Sequence, residues 1–151
     1  WAVGGVLGAI PAGAIGVRIG RRNALLLGFG LMGATLLALD RVATLGQAIP
    51  LLVIASASWA LPTVNAFPLF VEPIPKARRG VMAALFLLCA ALGGAIGDPV
   101  NGRLFDLFGG YRALFLLMAA YSAVAFAAVW CIPAGSGEAD TGPDRGWASA
   151  N

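Results

Sequence analysis

Five apolar runs, at about residues 1–17, 23–39, 48–71, 81–100 and 113–132, take up most of this chain, and the connections between them together with the C-terminal tail hold almost all of its charge. The run from Ala48 to Val71 is long enough as a helix to cross about 30 Å of hydrocarbon with some tilt. Only 11% of the residues are charged, against about 25% in soluble domains, so a water-facing surface could not be covered and most of the exterior must face lipid. The pattern predicts an all-α integral membrane protein with five transmembrane helices, the lipid bilayer being its first partner.

The connections differ in sign. Arg18, Arg21 and Arg22 make the first strongly basic, Asp40 and Arg41 leave the second neutral, Lys76, Arg78 and Arg79 make the third strongly basic, and Arg103, Asp106 and Arg112 leave the fourth weakly positive. Excess Lys and Arg mark cytoplasmic connections. The first and third connections are therefore expected inside, with the chain starting outside and its C-terminus cytoplasmic. The expected setting is a plasma (inner) membrane. Residues 134–151, rich in Gly, Ser, Asp and Glu without apolar periodicity, read as a disordered cytoplasmic tail. The chain begins with Trp1 inside an apolar run, which reads as a fragment already within a span.

Several function classes are disfavoured. The basic residues lie in short clusters, not along one polar face, so no nucleic acid is expected as partner. The chain has no His, which leaves no Ser-His-Asp or Cys-His pair for catalysis. Its one lysine, Lys76, lies outside any phosphate-binding glycine loop. Cys89 and Cys131, inside or at the edge of apolar runs, read as small packing residues. No enzymatic chemistry, metal or cofactor is expected.

The stretch from Gly13 to Arg22 joins the first two spans with three glycines and three arginines. Gly13-Ala-Ile-Gly-Val-Arg-Ile-Gly-Arg-Arg-Asn-Ala-Leu25 resembles Gly102-Arg-Leu-Phe-Asp-Leu-Phe-Gly-Gly-Tyr-Arg-Ala-Leu114, every matched position being offset by 89 residues. Three spans separate the copies, which puts them on opposite membrane faces, as in the inverted three-plus-three repeats of secondary transporters. The first copy also resembles the signature of the major facilitator superfamily: Gly13, Arg18, Gly20, Arg21 and Arg22 match, while Val17 occupies the position of the usual acid. In the second copy Gly102, Asp106, Gly109 and Arg112 form the repeat hinge, with Asp106 where Val17 stands in the first. Arg103 and Arg112 are its nearest candidate partners.

The resemblance implies a partial C-terminal half of a major facilitator fold, the eighth to twelfth spans of a twelve-span carrier with inverted repeats. The rest, including a whole N-terminal half of the same chain, would lie upstream. Trp59 to Pro68 and Gly102 to Phe115 resemble more weakly the branch of sucrose and proton cotransporters and related glycoside carriers. The implied function is secondary transport of a small polar solute by alternating access, with a proton-coupled sugar or glycoside carrier as the first reading. Two rivals stand beside it: an exporter of drugs or metabolites in the same superfamily, and a helical membrane scaffold that transports nothing.

Polar groups at lipid depth are costly and are the default candidates for function. Ser58, Asn65 and Glu72 recur every seven positions, close to two helical turns, so they share one face of the third span. Asn65 can donate to and accept from a solute hydroxyl, or bond a neighbouring helix; Trp59 can stack on a sugar ring or pack. Pro62 and Pro68 loosen the backbone around Asn65. Asp98 and Glu72 are the candidates for proton coupling, with a turn at the helix end as the competing role for Asp98 beside Pro99 and Asn101. Arg18, Arg21 and Arg22 are candidates for holding a cytoplasmic gate or simply for orienting the chain.

Overall fold

The computed structural model describes residues 2–108 and 111–133. Five α-helices follow one another: α1 (Ala2–Ile19), α2 (Arg21–Leu39), α3 (Leu45–Val71), α4 (Arg79–Phe108) and α5 (Tyr111–Trp130), with one 3₁₀ turn at Lys76–Arg78 before α4. Four stretches, Arg21–Leu39, Leu45–Val71, Lys76–Phe108 and Arg112–Trp130, are long and apolar enough to cross a membrane, and Gly4–Ile19 of α1 forms a shorter apolar helix. All five expected spans are thus helices. The tail at 134–151 and Gly109 of the repeat hinge lie outside the described residues.

The break between α1 and α2 is a single residue. Gly20 has φ 86°, a conformation open to glycine at no steric cost, and the Asn23 side chain donates to the Ile19 carbonyl (2.8 Å) just across it. The chain turns here without a loop.

α3 is the central element, packed between α1 and α2, and α2 in turn packs on α5. In lipid no water is expelled from between helices, so association depends on how closely backbones can approach. On α1, Gly4, Gly8, Ala12 and Gly16 recur four apart and lie buried on one face. A Cβ at Gly4 would sit 2.7 Å from the Val53 carbonyl, and one at Gly8 would sit 2.8 Å from the Ala57 backbone. From the other side Gly28 of α2 meets the Pro62 ring, where a Cβ would come within 2.5 Å of Cδ. Small residues continue the contact at Ala12, Ala24 and Ala60, joined by Leu61. Leu25, Leu69 and Val129 bind α2 to α3 and α5 near one end, and Leu36, Leu39 and Ala119 do so toward the other.

α4 departs from this pattern in two ways. None of its residues is buried, and it touches α3 and α5 only lightly. It also runs further than the sequence implied. The segment from Asn101, expected to be a connection, stays helical through Phe108, and Pro99 lies inside the helix. Leu104, Phe105 and Phe108 recur at helical spacing and line a cleft against Ala113, Leu114 and Leu117 of α5, which gives these residues a partner that a turn would not. The helix-end role weighed for Asp98 is therefore corrected: Asp98 sits within α4, exposed. Cys89 and Cys131 are likewise exposed, so the core does not use them.

The tight α1–α3 crossing yields a test. Gly8→Val should lower stability by about 1–3 kcal/mol through overpacking against the Ala57 backbone, read as a fall in the thermal unfolding midpoint in detergent. Gly46→Ala, where an added Cβ meets nothing within 4 Å, should leave the midpoint unchanged.

Candidate functional site

The two ends of the bundle differ in charge and are tied differently. At one end lie the α1–α2 turn, the C-termini of α3 and α5 and the N-terminus of α4. Arg18, Arg21, Arg22, Lys76, Arg78 and Arg79 gather there around Glu72, the one carboxylate at that end among the described residues. At the other, Arg41, Arg103 and Arg112 are balanced in part by Asp40 and Asp106.

At the basic end a clasp joins three helices. Both nitrogens of an Arg21 fork reach both oxygens of Glu72, with Nε donating to Oε2 at 2.8 Å. The two side chains keep 23% and 32% of their exposure, half-sheltered enough that bidentate geometry adds strength beyond a surface pair. Arg79, at the start of α4, donates to the Ile74 carbonyl (3.0 Å) and the Glu72 carbonyl (3.3 Å). Arg22 donates to the Trp130 carbonyl (2.8 Å) and lies 5.7 Å from the centre of that indole ring, within range of a cation–π attraction. Phe126 stacks on the same ring at 6.1 Å. One short arginine segment therefore holds the ends of α3 and α5 against α2, while Arg18 makes no such contact among the described residues.

At the opposite end Arg112 donates to Asp40 from Nε (2.6 Å) and Nη2 (3.3 Å), where Asp106 had been the candidate partner. Asp106 is exposed on α4 and makes no ion pair among the described residues. The two related hinges do fall at opposite ends of the bundle: α1 ends at Ile19 at the basic end, and residues 101–108 of α4 lie at the other.

The three residues seven apart on α3 have separate environments. Ser58 is 2% exposed and donates to the Ile54 carbonyl of its own helix (2.7 Å). Asn65 is wholly buried and faces α1: its Nδ2 donates to the Ala12 carbonyl (3.0 Å) and to Leu61 of α3 (2.9 Å). Its Oδ1 has no hydrogen-bond partner among the described residues and lies against Gly16, where a Cβ would fall 1.8 Å from it. Glu72 belongs to the clasp. Trp59, by contrast, is 43% exposed and helps wall a cavity.

That cavity, about 870 Å³, opens between α2, α3, α4 and α5. Phe29, Trp59, Phe70, Phe86 and Tyr121 supply an aromatic wall, and Met32, Met82 and Met118 fill between them. No lining side chain is charged. Tyr121 donates to Asn101 Oδ1 of α4 at 3.4 Å, and Ser122 to the Met118 carbonyl at 2.9 Å, so the few polar groups nearby are already engaged. Of the sequence candidates for solute contact, Trp59 alone reaches this space; Asn65 and Ser58 do not line it. Met82, Phe86 and Ala90, four apart on α4, form its far wall.

The family model described as Major Facilitator Superfamily matches residues 1–147. The chain belongs to the Major Facilitator Superfamily. Searches of curated proteins and of solved structures returned no match. Membership in this superfamily makes the chain part of a secondary transporter and not of an enzyme, an integral membrane protein in contact with lipid and with a small solute.

The position of Asn65 separates packing from solute contact. Asn65→Ala should cost about 1 kcal/mol of stability through loss of the bond to the Ala12 carbonyl, seen as a lower unfolding midpoint with solute affinity unchanged. A loss of affinity at unchanged stability would restore Asn65 to the solute site.

Proposed function

We propose that the chain is the C-terminal part of a secondary carrier that moves a small solute by alternating access, with the basic end facing the cytoplasm of a plasma (inner) membrane and the C-terminus inside. The observation that carries this reading is the clasp at that end. Arg21 and Glu72 tie α2 to α3, and Arg79 ties the start of α4 to the end of α3. A charged, water-accessible clasp can exchange its partners for water as the end opens, whereas the glycine contacts within the helix stack cannot slide without losing close packing. The helices above the clasp thus move together, and the clasp is where closure is decided.

The first reading of the solute is a polar one, a sugar or glycoside moved by a proton-coupled carrier. Support for it now rests on Trp59, since Asn65 and Ser58 spend their donors on helix carbonyls. The second reading, export of a drug-like or metabolite molecule, is favoured by that engagement, because a sugar leaves many hydroxyls that need unengaged polar partners. For proton coupling, Asp98 is the better candidate: it is the carboxylate set within the apolar stretch of α4, while Glu72 is held by Arg21.

The full-length carrier, purified and reconstituted in vesicles, should show solute flux, and Arg21→Gln and Glu72→Gln should each slow it by about fivefold. The double variant should be no slower than either single one, because both changes remove the same pair. Additive losses would mean that the two residues act separately. Absence of flux for sugars, drugs and metabolites alike would defeat the carrier reading. Asp98→Asn should abolish any response of flux to a proton gradient.

A further inference from the structure

Among the described residues, the basic end holds more positive charge than its own contacts neutralise. Arg21, Arg22 and Arg79 are engaged with a carboxylate or with carbonyls. Arg78 makes no side-chain hydrogen bond or ion pair among the described residues, and it stands beside an apolar slot of about 520 Å³ walled by Ile74, Pro75, Val81 and Met82. Met82 is also a wall of the larger aromatic cavity, so the two apolar spaces adjoin along α4. From Arg78 the wall continues up that helix through Met82, Phe86 and Ala90, one turn apart. At about 1.5 Å per residue this path is roughly 18 Å long, close to the half-thickness, about 15 Å, of a bilayer's hydrocarbon core.

We propose that this groove holds one anionic phospholipid of the surrounding leaflet, its phosphate at Arg78 and an acyl chain along Met82, Phe86 and Ala90. Shape and charge both select this occupant. An unengaged guanidinium lies at headgroup level, and an uncharged path one leaflet deep leads away from it. A polar solute would find no partner beyond Arg78. A zwitterionic headgroup brings its own ammonium into a cluster of cations, whereas an anionic one adds to the attraction that basic residues exert near a membrane surface. The chain would fill the space under α4, which buries none of its own residues, and a fluid filling would support that helix without fixing it. The inference requires only that the basic end lie at a membrane surface, and stands apart from which solute is carried.

Trp59 lines the cavity and serves as reporter. Protein in which Trp1, Trp130 and Trp147 are replaced by Phe is placed in phosphatidylcholine vesicles. Phosphatidylglycerol brominated in its acyl chains is titrated in, with brominated phosphatidylcholine as the parallel series. Quenching by the anionic lipid should saturate at about fivefold lower mole fraction. Arg78→Gln should remove that difference, and Arg103→Gln, at the other end of α4, should preserve it. Equal quenching by the two lipids, or a preference that survives Arg78→Gln, overturns the proposal. Native mass spectrometry of the unsubstituted protein in an equimolar mixture of the two lipids is the second measurement. Preferential retention of one phosphatidylglycerol supports the site, and no retention or equal retention of phosphatidylcholine refutes it. Neither readout involves flux, so a failed carrier reading and a failed lipid site are told apart.

Discussion

The close approach of α1 and α2 to the two sides of α3 supports the rest of the arrangement. Gly4 and Gly8 bring α1 down onto the α3 backbone, and Gly28 receives the Pro62 ring. Between lipid-immersed helices there is no water to expel, so the attraction comes from dispersion and short polar contacts that fall off steeply with distance. A single added methyl at these points would separate the backbones and weaken every contact nearby. Asn65 adds one directed bond to this stack, from α3 to the Ala12 carbonyl of α1. The same closeness leaves its Oδ1 against Gly16 without a donor, a cost accepted for a tight fit.

Charges act only at the ends of this stack. Arg21 with Glu72 and Arg22 with Trp130 fasten α2 to its neighbours at the basic end, and Arg112 with Asp40 fastens α2 to α5 at the other. Salt bridges at such exposure add modest stability, but they choose which helix ends meet. They are also the contacts that water can replace, which suits them to a part of the molecule that has to open. α4 stands outside the close-packed stack and joins the charged ends only through Arg79. It has apolar length, a light hold on α3 and α5, and an aromatic cavity beneath it, so it is the helix with most freedom to shift within a Major Facilitator Superfamily protein.

Much of the site's outline was legible as spacing, and its wiring was not. The seven-residue recurrence puts Ser58 and Asn65 on α3 and Glu72 at its C-terminal cap, yet one bonds its own helix, one bonds α1 and one bonds α2. Spacing along one helix carries no information about which neighbour lies opposite each turn. Arg112 and Arg103 are the candidate partners that the sequence offers Asp106, because local pairs are the ones a linear reading can find. Arg112 instead meets Asp40, 72 positions away. The cavity walls were missed because Phe, Met and Cys in an apolar run look alike whether they face lipid, a neighbour or a void.

The sequence by itself determined that this is a helical membrane protein, where its spans lie, and which connections are basic. Those properties follow from local composition, since apolar length and the placement of Lys and Arg are set residue by residue against the thickness of a bilayer. It also carried the paired hinges, which lie at opposite ends of the bundle. Only the tertiary structure decided that α4 runs on through Asn101 to Phe108, that Asn65 turns to α1 and away from the cavity, and that α3 is the middle of the stack. Each of these depends on what a neighbouring helix offers at one point of contact, and in a chain whose helices are nearly uniform in hydrophobicity that choice is made by fit between surfaces.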